Sequence, residues 1–494
     1  MQTHWPFSSV LIANRGEIAS RIVRTVQRLG LAAVVVHHAV DANTPAVRQA
    51  DLAVEIQGAT PVAAYLDGAQ IIAAARAAGA GAIHPGSGFL AENAGFARAC
   101  AEAGLVFIGP RPEVIDLMGD KVRARAFVAQ GGFPVAPSAI EDEDPASFAE
   151  RALAVGFPLL IKPAAGGGGK GMRIVREAAQ LKPELERARS EGLRYFGDGR
   201  LYVERFVENP RHIEVQVLGD NQGTVLHLFE RECSVQRRFQ KIVEESPSPA
   251  LSPELRRDIC ATAAGIAQRA GYTNAGTVEF IFGQGAFYFL EMNTRLQVEH
   301  PVTEELLGID LVEQQLRVAA GEALGFAQKD LKPRAHAIEF RIYAEDPARG
   351  YLPTTGPILA LHEPRGAGVR VDSGIAAGEE VTAAFDPMLA KLIVSGATRE
   401  EAMARGAQAL SDYVLLGCKT NTGFLRRLLA HPAFVAGEIN TGFLDAHPEV
   451  AAEPPLEPET LQRLLATAAL ASRPVRDAAD AVPALHAAMG GWRN

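Results

Sequence analysis

A chain of 494 residues is too long for one compact core, so two to four folding units are expected. Its 48% hydrophobic and 22% charged composition is that of a globular protein, which excludes a disordered or fibrous chain. A net charge of -9 excludes a general nucleic-acid or acidic-membrane surface, because attraction to phosphate needs a basic face.

The four cysteines, Cys100, Cys233, Cys260 and Cys418, are scattered with no CxxC pair, unlike a zinc ribbon or a disulfide scaffold. A reduced, cytoplasmic setting fits them best. The start, MQTHWPFSSVLIANRG, lacks a basic segment followed by an apolar one, so no secretory signal is visible. No apolar run approaches the ~18–20 residues of a membrane helix. A soluble protein is expected.

In chain order, Val10–Ala13 reads as a buried strand, and Gly16–Leu29 has helical spacing through Ile18, Ile22, Val26 and Leu29. Leu31–Val36 is strand-like again, Gln70–Ala78 helical, and Ala82–His84 and Leu105–Ile108 strands. Strands alternating with helices imply a parallel sheet covered on both faces. A second unit, from about Phe133 to Val207, holds the strand PLLIKPA, a glycine run and the strand GMRIV. A third, to about Val450, carries the strands HIEVQVL, TVLHLFERE, GTVEFIF, AFYFLEMN, HAIEFRIY and KLIVSG, which suggest an antiparallel sheet in an α+β body. A proline-rich linker, EVAAEPPLEPE, then leads to a short helix rich in alanine and leucine.

The strongest local signal is Lys162-Pro-Ala-Ala-Gly166-Gly167-Gly168-Gly169-Lys170-Gly171-Met172. Successive glycines leave backbone N–H groups unshielded for anionic oxygens. The loop is not a Walker loop, because Gly171 follows the lysine and a strand, not a helix, comes next. The plain alternative is a flexible hairpin. Two flanking lysines and tight strands on either side favour a lid over phosphates.

GTVEFIF-GQG-AFYFLEMN reads as a hairpin. A three-residue loop, Gln284-Gly285-Ala286, pairs Gly283 with Phe287 and sets Glu279 opposite Glu291. Carboxylates about 5 Å apart destabilise a strand pair unless neutralised, and magnesium beside a triphosphate would do so. The alternative is a solvated face with lysines nearby. Beyond the hairpin, Glu291, Asn293, Arg295, Gln297 and Glu299 alternate with Met292, Thr294, Leu296 and Val298. A period of two puts five functional groups on one face.

At these residues the chain resembles the biotin carboxylases, which are ATP-grasp enzymes. The matching segments are ANRGEIASRI, HPGSGFLAEN, FIGP, MGDK, IKPAAGGGGKGM, ENPRHIEVQVLGD, RECSVQRRFQKIVEESP, EMNTRLQVEHPVTE, RIYAEDP and DPMLAKLI, in the family's order from about Ser8 to Asp445. The resemblance implies an α/β and α+β ATP-grasp fold. Its parts would be a Rossmann-like parallel-sheet domain over 1–120, a linker and mobile glycine-loop lid over 121–207, and a body with a β-rich C-terminal domain over 208–450. A linker and helical tail over 451–494 would follow.

It further implies that Lys121, Lys162, Gly166 to Gly169, His212 and Gln236 serve the nucleotide, with Glu204 and the Val207 backbone at its adenine. Glu279, Glu291 and Asn293 match the positions for Mg2+ or Mn2+. Lys241, Arg295, Gln297 and Val298 match the bicarbonate site, Glu299 the general base, and Arg341 the arginine that offsets charge on the biotin enolate. Without the resemblance, a local salt bridge to Glu345 or Asp346 would be the simpler reading of Arg341. Three departures stand out: Ser87 and Phe385 where the family usually has Tyr, and Phe239 where it often has His. The first and last are expected to reshape substrate contacts without ablating activity.

No AMKM-like segment is present, so biotin is expected on a separate carrier protein or domain, with a carboxyltransferase as a further partner. Homodimers are common in the family. Two other readings share part of the pattern. A carboxylate–amine ligase of the ATP-grasp type would not need Arg341 or RLQVEHPVTE. A catalytically silent scaffold subunit would have lost Glu299, Lys241 or Arg341.

Overall fold

The computed structural model describes residues 5–141, 144, 147–163 and 172–471. Short apolar runs near the start form five parallel strands: β1 (Ser9–Ile12), β2 (Ala32–His37), β3 (Leu52–Glu55), β4 (Ala82–His84) and β5 (Val106–Phe107), in the order β3-β2-β1-β4-β5. Alternate residues go to opposite faces, and here both faces are apolar. Val10 and Ile12 pack with Ile18, Ile22 and Val26 of helix α1 (Gly16–Arg28), whereas Leu11, Val34 and Ile83 enter a second core with Tyr65 and Ile71. The expected parallel sheet is observed, with the ends of β1, β2, β4 and β5 within two residues of the sequence reading, while the exposed edge strand β3 was not anticipated.

A smaller antiparallel sheet follows, of β6 (Ser138–Ile140), β7 (Leu159–Pro163), β8 (Arg173–Val175) and β9 (Leu201–Arg205), ordered β6-β9-β7-β8. It has its own core, where Leu159, Ile161 and Val203 meet Leu181, Leu185 and Ala188 of the helix Ala178–Phe196. β7 and β8 pair as the two arms anticipated around the glycine run; Gly166 to Gly169 lie outside the described residues.

The third sheet organises the site. Its eight antiparallel strands include β10 (Arg211–Gly219), β11 (Val225–Arg237), β12 (Gln240–Ser246), β13 (Asn274–Gly283), β14 (Ala286–Asn293) and β15 (His336–Tyr343). They run β14-β13-β10-β11-β12-β15, continued by Met388–Gly396 and Val369–Ser373. On β10, Ile213, Val215 and Val217 face a core with Ile259 and Ala263 of the helix Pro253–Arg269, so His212, Glu214 and Gln216 must face the other way. On β15, Ile338, Phe340 and Ile342 pack with Ala402 and Leu410 of the helix Arg399–Asp412, which turns Glu339 and Arg341 to that same polar side. The helix His300–Leu307 covers part of that side and brings Glu299 to its N-terminal end.

Two strands of this sheet were not legible in the sequence, and neither were β3, β6 and β9 of the other sheets. β12 reads KIVEES, with two adjacent glutamates and no clear alternation, yet Ile242–Ser246 is wholly buried. Val369–Ser373 is a short edge strand.

The hairpin differs from expectation in register. Its loop has two residues, with Gln284 and Gly285 both at positive φ (54° and 78°), and Gly283 pairs with Ala286, Phe282 with Phe287. That geometry is the hairpin turn whose twist matches its strands. A bulge at Leu290 then shifts the register between Phe280↔Phe289 and Glu279↔Glu291. The extra residue cancels the shorter loop, so the two carboxylates are opposed as expected although the turn is not the expected one.

The compact unit ends at Ala451; beyond it the described helix Pro458–Ala471 matches the expected short helix. No helix among the described residues is long and apolar enough to cross a membrane.

Candidate active site

The polar side of the large sheet opens into a cleft of about 1130 Å³ that also receives residues from α1 and the smaller sheet. Strand register builds its floor. Glu214 on β10 is the cross-strand partner of Glu279 on β13, and Glu279 of Glu291 on β14. Three carboxylates in one row repel, so the arrangement holds only if cations enter it.

Lys241 on β12 is that cation. Its Nζ donates to Glu214 Oε2 at 2.5 Å, Glu299 Oε1 at 2.6 Å and Glu279 Oε1 at 3.0 Å. Burial opposes its charge, but the three carboxylates hold the ammonium well above its ordinary pKa. Arg231 Nε supports Glu214 from behind at 2.5 Å, and its other nitrogens donate to Gln216, Thr277 and Thr303. Even so, burial raises the Glu214 pKa.

Glu299 has one oxygen on Lys241 and the other on Arg341, whose Nη2 donates at 2.9 Å. Burial would raise this carboxyl, but Lys241 and Arg341 together hold it well below the usual range. Arg341 Nε also donates to Glu244 at 2.6 Å. The local salt bridges considered for Arg341 are therefore not made: Glu345 pairs with Arg237 and Asp346 with Lys419.

Glu279 is surrounded by donors. It accepts from His212 Nε2 at 2.7 Å, Asn293 Nδ2 at 2.8 Å and Gln297 Nε2 at 3.0 Å, as well as from Lys241. Burial works against its charge, yet Lys241 and His212 lower its pKa strongly, and the His212 pKa is raised in return. The strand ends at Asn293, and the residues up to Glu299 continue outside the sheet as an irregular segment with a bend at Arg295 and a turn at Val298–Glu299. The alternation anticipated there still converges, because Arg295 ties it together. Its Nη1 donates to Gln297 Oε1 at 2.7 Å and Ser87 Oγ at 3.1 Å, its Nη2 to Asn293 Oδ1 at 3.1 Å, and its Nε to Glu92 at 2.8 Å. The Val298 carbonyl accepts from buried Lys391 at 2.8 Å.

Farther out, Lys121 pairs with Glu291 at 3.1 Å and Lys162 pairs with Glu204. Val207 lines the wall, and Gln236 is both a lining residue and the cross-strand partner of Lys241. Phe239 is 64% exposed at the rim, and Phe385 lies under the Arg15 guanidinium, 3.7 Å from ring centroid to Cζ. Every described residue to which the resemblance assigns a role, with Ser87 and Phe239, thus borders one cleft. Glu279, Glu291 and Asn293 offer two carboxylates and an amide oxygen, a hard donor set that suits Mg2+ or Mn2+. Sequence reading missed Glu214, Glu244, Glu92 and Lys391. Glu214 had a signal, the period-two run His212-Ile-Glu214-Val-Gln216; Glu92 had none, since only folding brings it to Arg295.

Family models match three segments: "Biotin carboxylase, N-terminal domain" over 6–115, "Carbamoyl-phosphate synthase L chain, ATP binding domain" over 120–327, and "Biotin carboxylase C-terminal domain" over 339–446. The chain is 49% identical to biotin carboxylase 2 of Bacillus subtilis, over 89% of this chain and all of that one. It is 45% identical to the mouse mitochondrial methylcrotonoyl-CoA carboxylase subunit alpha, over 89% of this chain but 62% of that one. Among solved structures, it resembles the biotin carboxylase domain dimer of Hydrogenobacter thermophilus 2-oxoglutarate carboxylase, solved with MgADP, ADP and bicarbonate. The TM-score is 0.85 at 43% identity, covering 92% of this chain and all of that one. The biotin carboxylase of Campylobacter jejuni, solved with β,γ-ATP, gives 0.84 at 41%, covering 89% and 99%.

Proposed function

This chain belongs to the biotin carboxylase family, and on that footing we propose that it uses ATP and bicarbonate to carboxylate biotin presented by a carrier. That would be the first half-reaction of a biotin-dependent acyl-CoA carboxylase, with the carrier and a carboxyltransferase as partners and a homodimer as the working form. The observation that carries the reading is Glu299, a buried carboxylate held between the ammonium of Lys241 and the guanidinium of Arg341.

Lys121, Lys162, His212 and Gln236 would hold the nucleotide, with Glu204 and the Val207 backbone against its base. Glu279, Glu291 and Asn293 would hold magnesium, which when bound offsets phosphate charge. Arg295, Lys241, Gln297 and the Val298 backbone would seat bicarbonate, a planar anion that suits the fork of an arginine. Glu299 is ionised at neutral pH but a weak base, because its two cations favour the carboxylate. It therefore removes the bicarbonate proton as the oxygen attacks the γ-phosphorus, when bond formation acidifies that proton, and not beforehand. ADP leaves as the carboxyphosphate forms. This then breaks down to carbon dioxide and phosphate, the phosphate takes the proton from biotin nitrogen, and that nitrogen bonds to the carbon dioxide. Arg341 then faces the negative oxygen developing on biotin, and its charge is secure at any working pH.

Glu299→Gln tests the assignment. It keeps the shape but removes the base, and its amide nitrogen cannot accept one of the two hydrogen bonds that Lys241 and Arg341 donate to Glu299. Bicarbonate-dependent ATP turnover should therefore fall by about 10²–10⁴-fold with nucleotide affinity retained. Turnover within a fewfold of the parent would exclude Glu299 as the base.

A further inference from the structure

Away from the cleft, two imidazoles and a carboxylate converge near the C-terminal end of the compact unit. His431 precedes the short helix Pro432–Val435; His447 and Glu449 flank Pro448, just before the unit ends at Ala451. Glu449 Oε1 lies 3.4 Å from His431 Nε2 and 3.2 Å from His447 Nδ1, and the three ligand atoms fall within 4.8 Å of one another. Phe443 fixes both rings, with centroids 5.5 Å from His431 and 4.8 Å from His447. The imidazole centroids themselves are 4.3 Å apart.

We propose that His431, His447 and Glu449 form a site for a borderline divalent cation of the Zn2+ class. Tetrahedral coordination at about 2.0–2.1 Å places neighbouring ligand atoms about 3.3 Å apart, close to both measured separations. Two imidazoles with one carboxylate select Zn2+, Co2+ or Ni2+ over Mg2+, which prefers oxygen. The set is thus chemically distinct from the hard donors in the cleft. Proline helps build it: Pro448 restricts the backbone between the two ligands, so His447 and Glu449 are held toward His431 without a long loop to order. Three protein ligands leave a fourth position for water or an outside donor. Bound metal would pin two separate segments together where the chain leaves the compact unit, and so stabilise the folded state by mass action.

The test uses the full chain, stripped with a chelator and titrated with Co2+. One equivalent should give the ligand-field absorption of tetrahedral cobalt, Zn2+ should displace it, and Zn2+ should raise the thermal midpoint. The absorption should vanish in His447→Ala and in Glu449→Gln, with bicarbonate-dependent ATP turnover unchanged. Glu449 is exposed, so its variant serves even where the histidine variant folds poorly. Absence of cobalt uptake by the parent chain would overturn the proposal, as would uptake undiminished in both variants. Loss of uptake only in His212→Ala would move the ion to the cleft and overturn it equally.

Discussion

The central strands of the parallel N-terminal sheet and of the large antiparallel sheet are both deeply buried, but they bury different things. In the first, β1 is inaccessible along its whole length, and its two faces carry valine, isoleucine and leucine into two apolar cores. In the second, one face of β10 is just as apolar, while the other inters Glu214 and Gln216 beside Arg231 and Lys241. The apolar sheet holds itself together through area removed from water. The charged face is stable only as a balanced set, since each ion is costly unless its partners remain. The fold therefore separates a part that supplies stability from a part that spends some of it on reactivity.

Lys241→Met should break that contrast most severely. Glu214, Glu279 and Glu299 would then share no ammonium, and losing one partner of a buried ion set costs about 3–5 kcal/mol. A reduced urea midpoint should accompany at least a roughly 100-fold loss of ATP turnover. Full stability and turnover in this variant would show that the row of carboxylates is neutralised by something else. Leu11→Ala, in the other sheet, should cost about 2–5 kcal/mol through its cavity. Its turnover per folded molecule should match the parent, and a specific kinetic defect would blur the division.

The pH dependence of stability sharpens the same comparison. Glu279 and Glu299 have folded pKa values below the ordinary 4.5, so their contribution is present above that value and is lost as pH falls below it. Glu244 is the reverse: burial, against the pull of Arg341, raises it to about 7, so stability declines as pH rises from 4.5 through about 7. The difference in thermal midpoint, Glu244→Gln minus parent, should therefore grow from about pH 5 to about pH 8, and a flat difference would contradict the assignment. The smallest effect is expected at the hairpin. Gln284→Asn suits a position with φ of 54° and should stabilise by at most about 1 kcal/mol. Turnover should not change, because the Leu290 bulge already separates turn geometry from the opposed carboxylates.

Much of this was readable along the chain. Apolar runs gave away four of the five parallel strands, and the side chains of the Asn293-Arg295-Gln297-Glu299 alternation converge on the cleft even though the sheet had ended. The hairpin shows where such reading stops. Loop length and bulge are separate local choices, and pairing Glu279 with Glu291 required both errors in the register to cancel. β12 was missed because burial beneath Arg341 and beside β11 makes its glutamates interior residues, which no hydropathy pattern reports.

By itself the amino-acid order determined the element types, the glycine run, the opposed carboxylates and the resemblance that named each candidate side chain, since these depend on residues close together in the chain. Only the tertiary structure decided which charges neutralise which: Lys241 among three carboxylates, Arg341 on Glu299 and Glu244 instead of its sequence neighbours, and Glu92 on Arg295. The physical reason is range. Backbone preference and periodicity act over a few residues, whereas the energy of a buried ion depends on every charge around it in space, however distant in sequence.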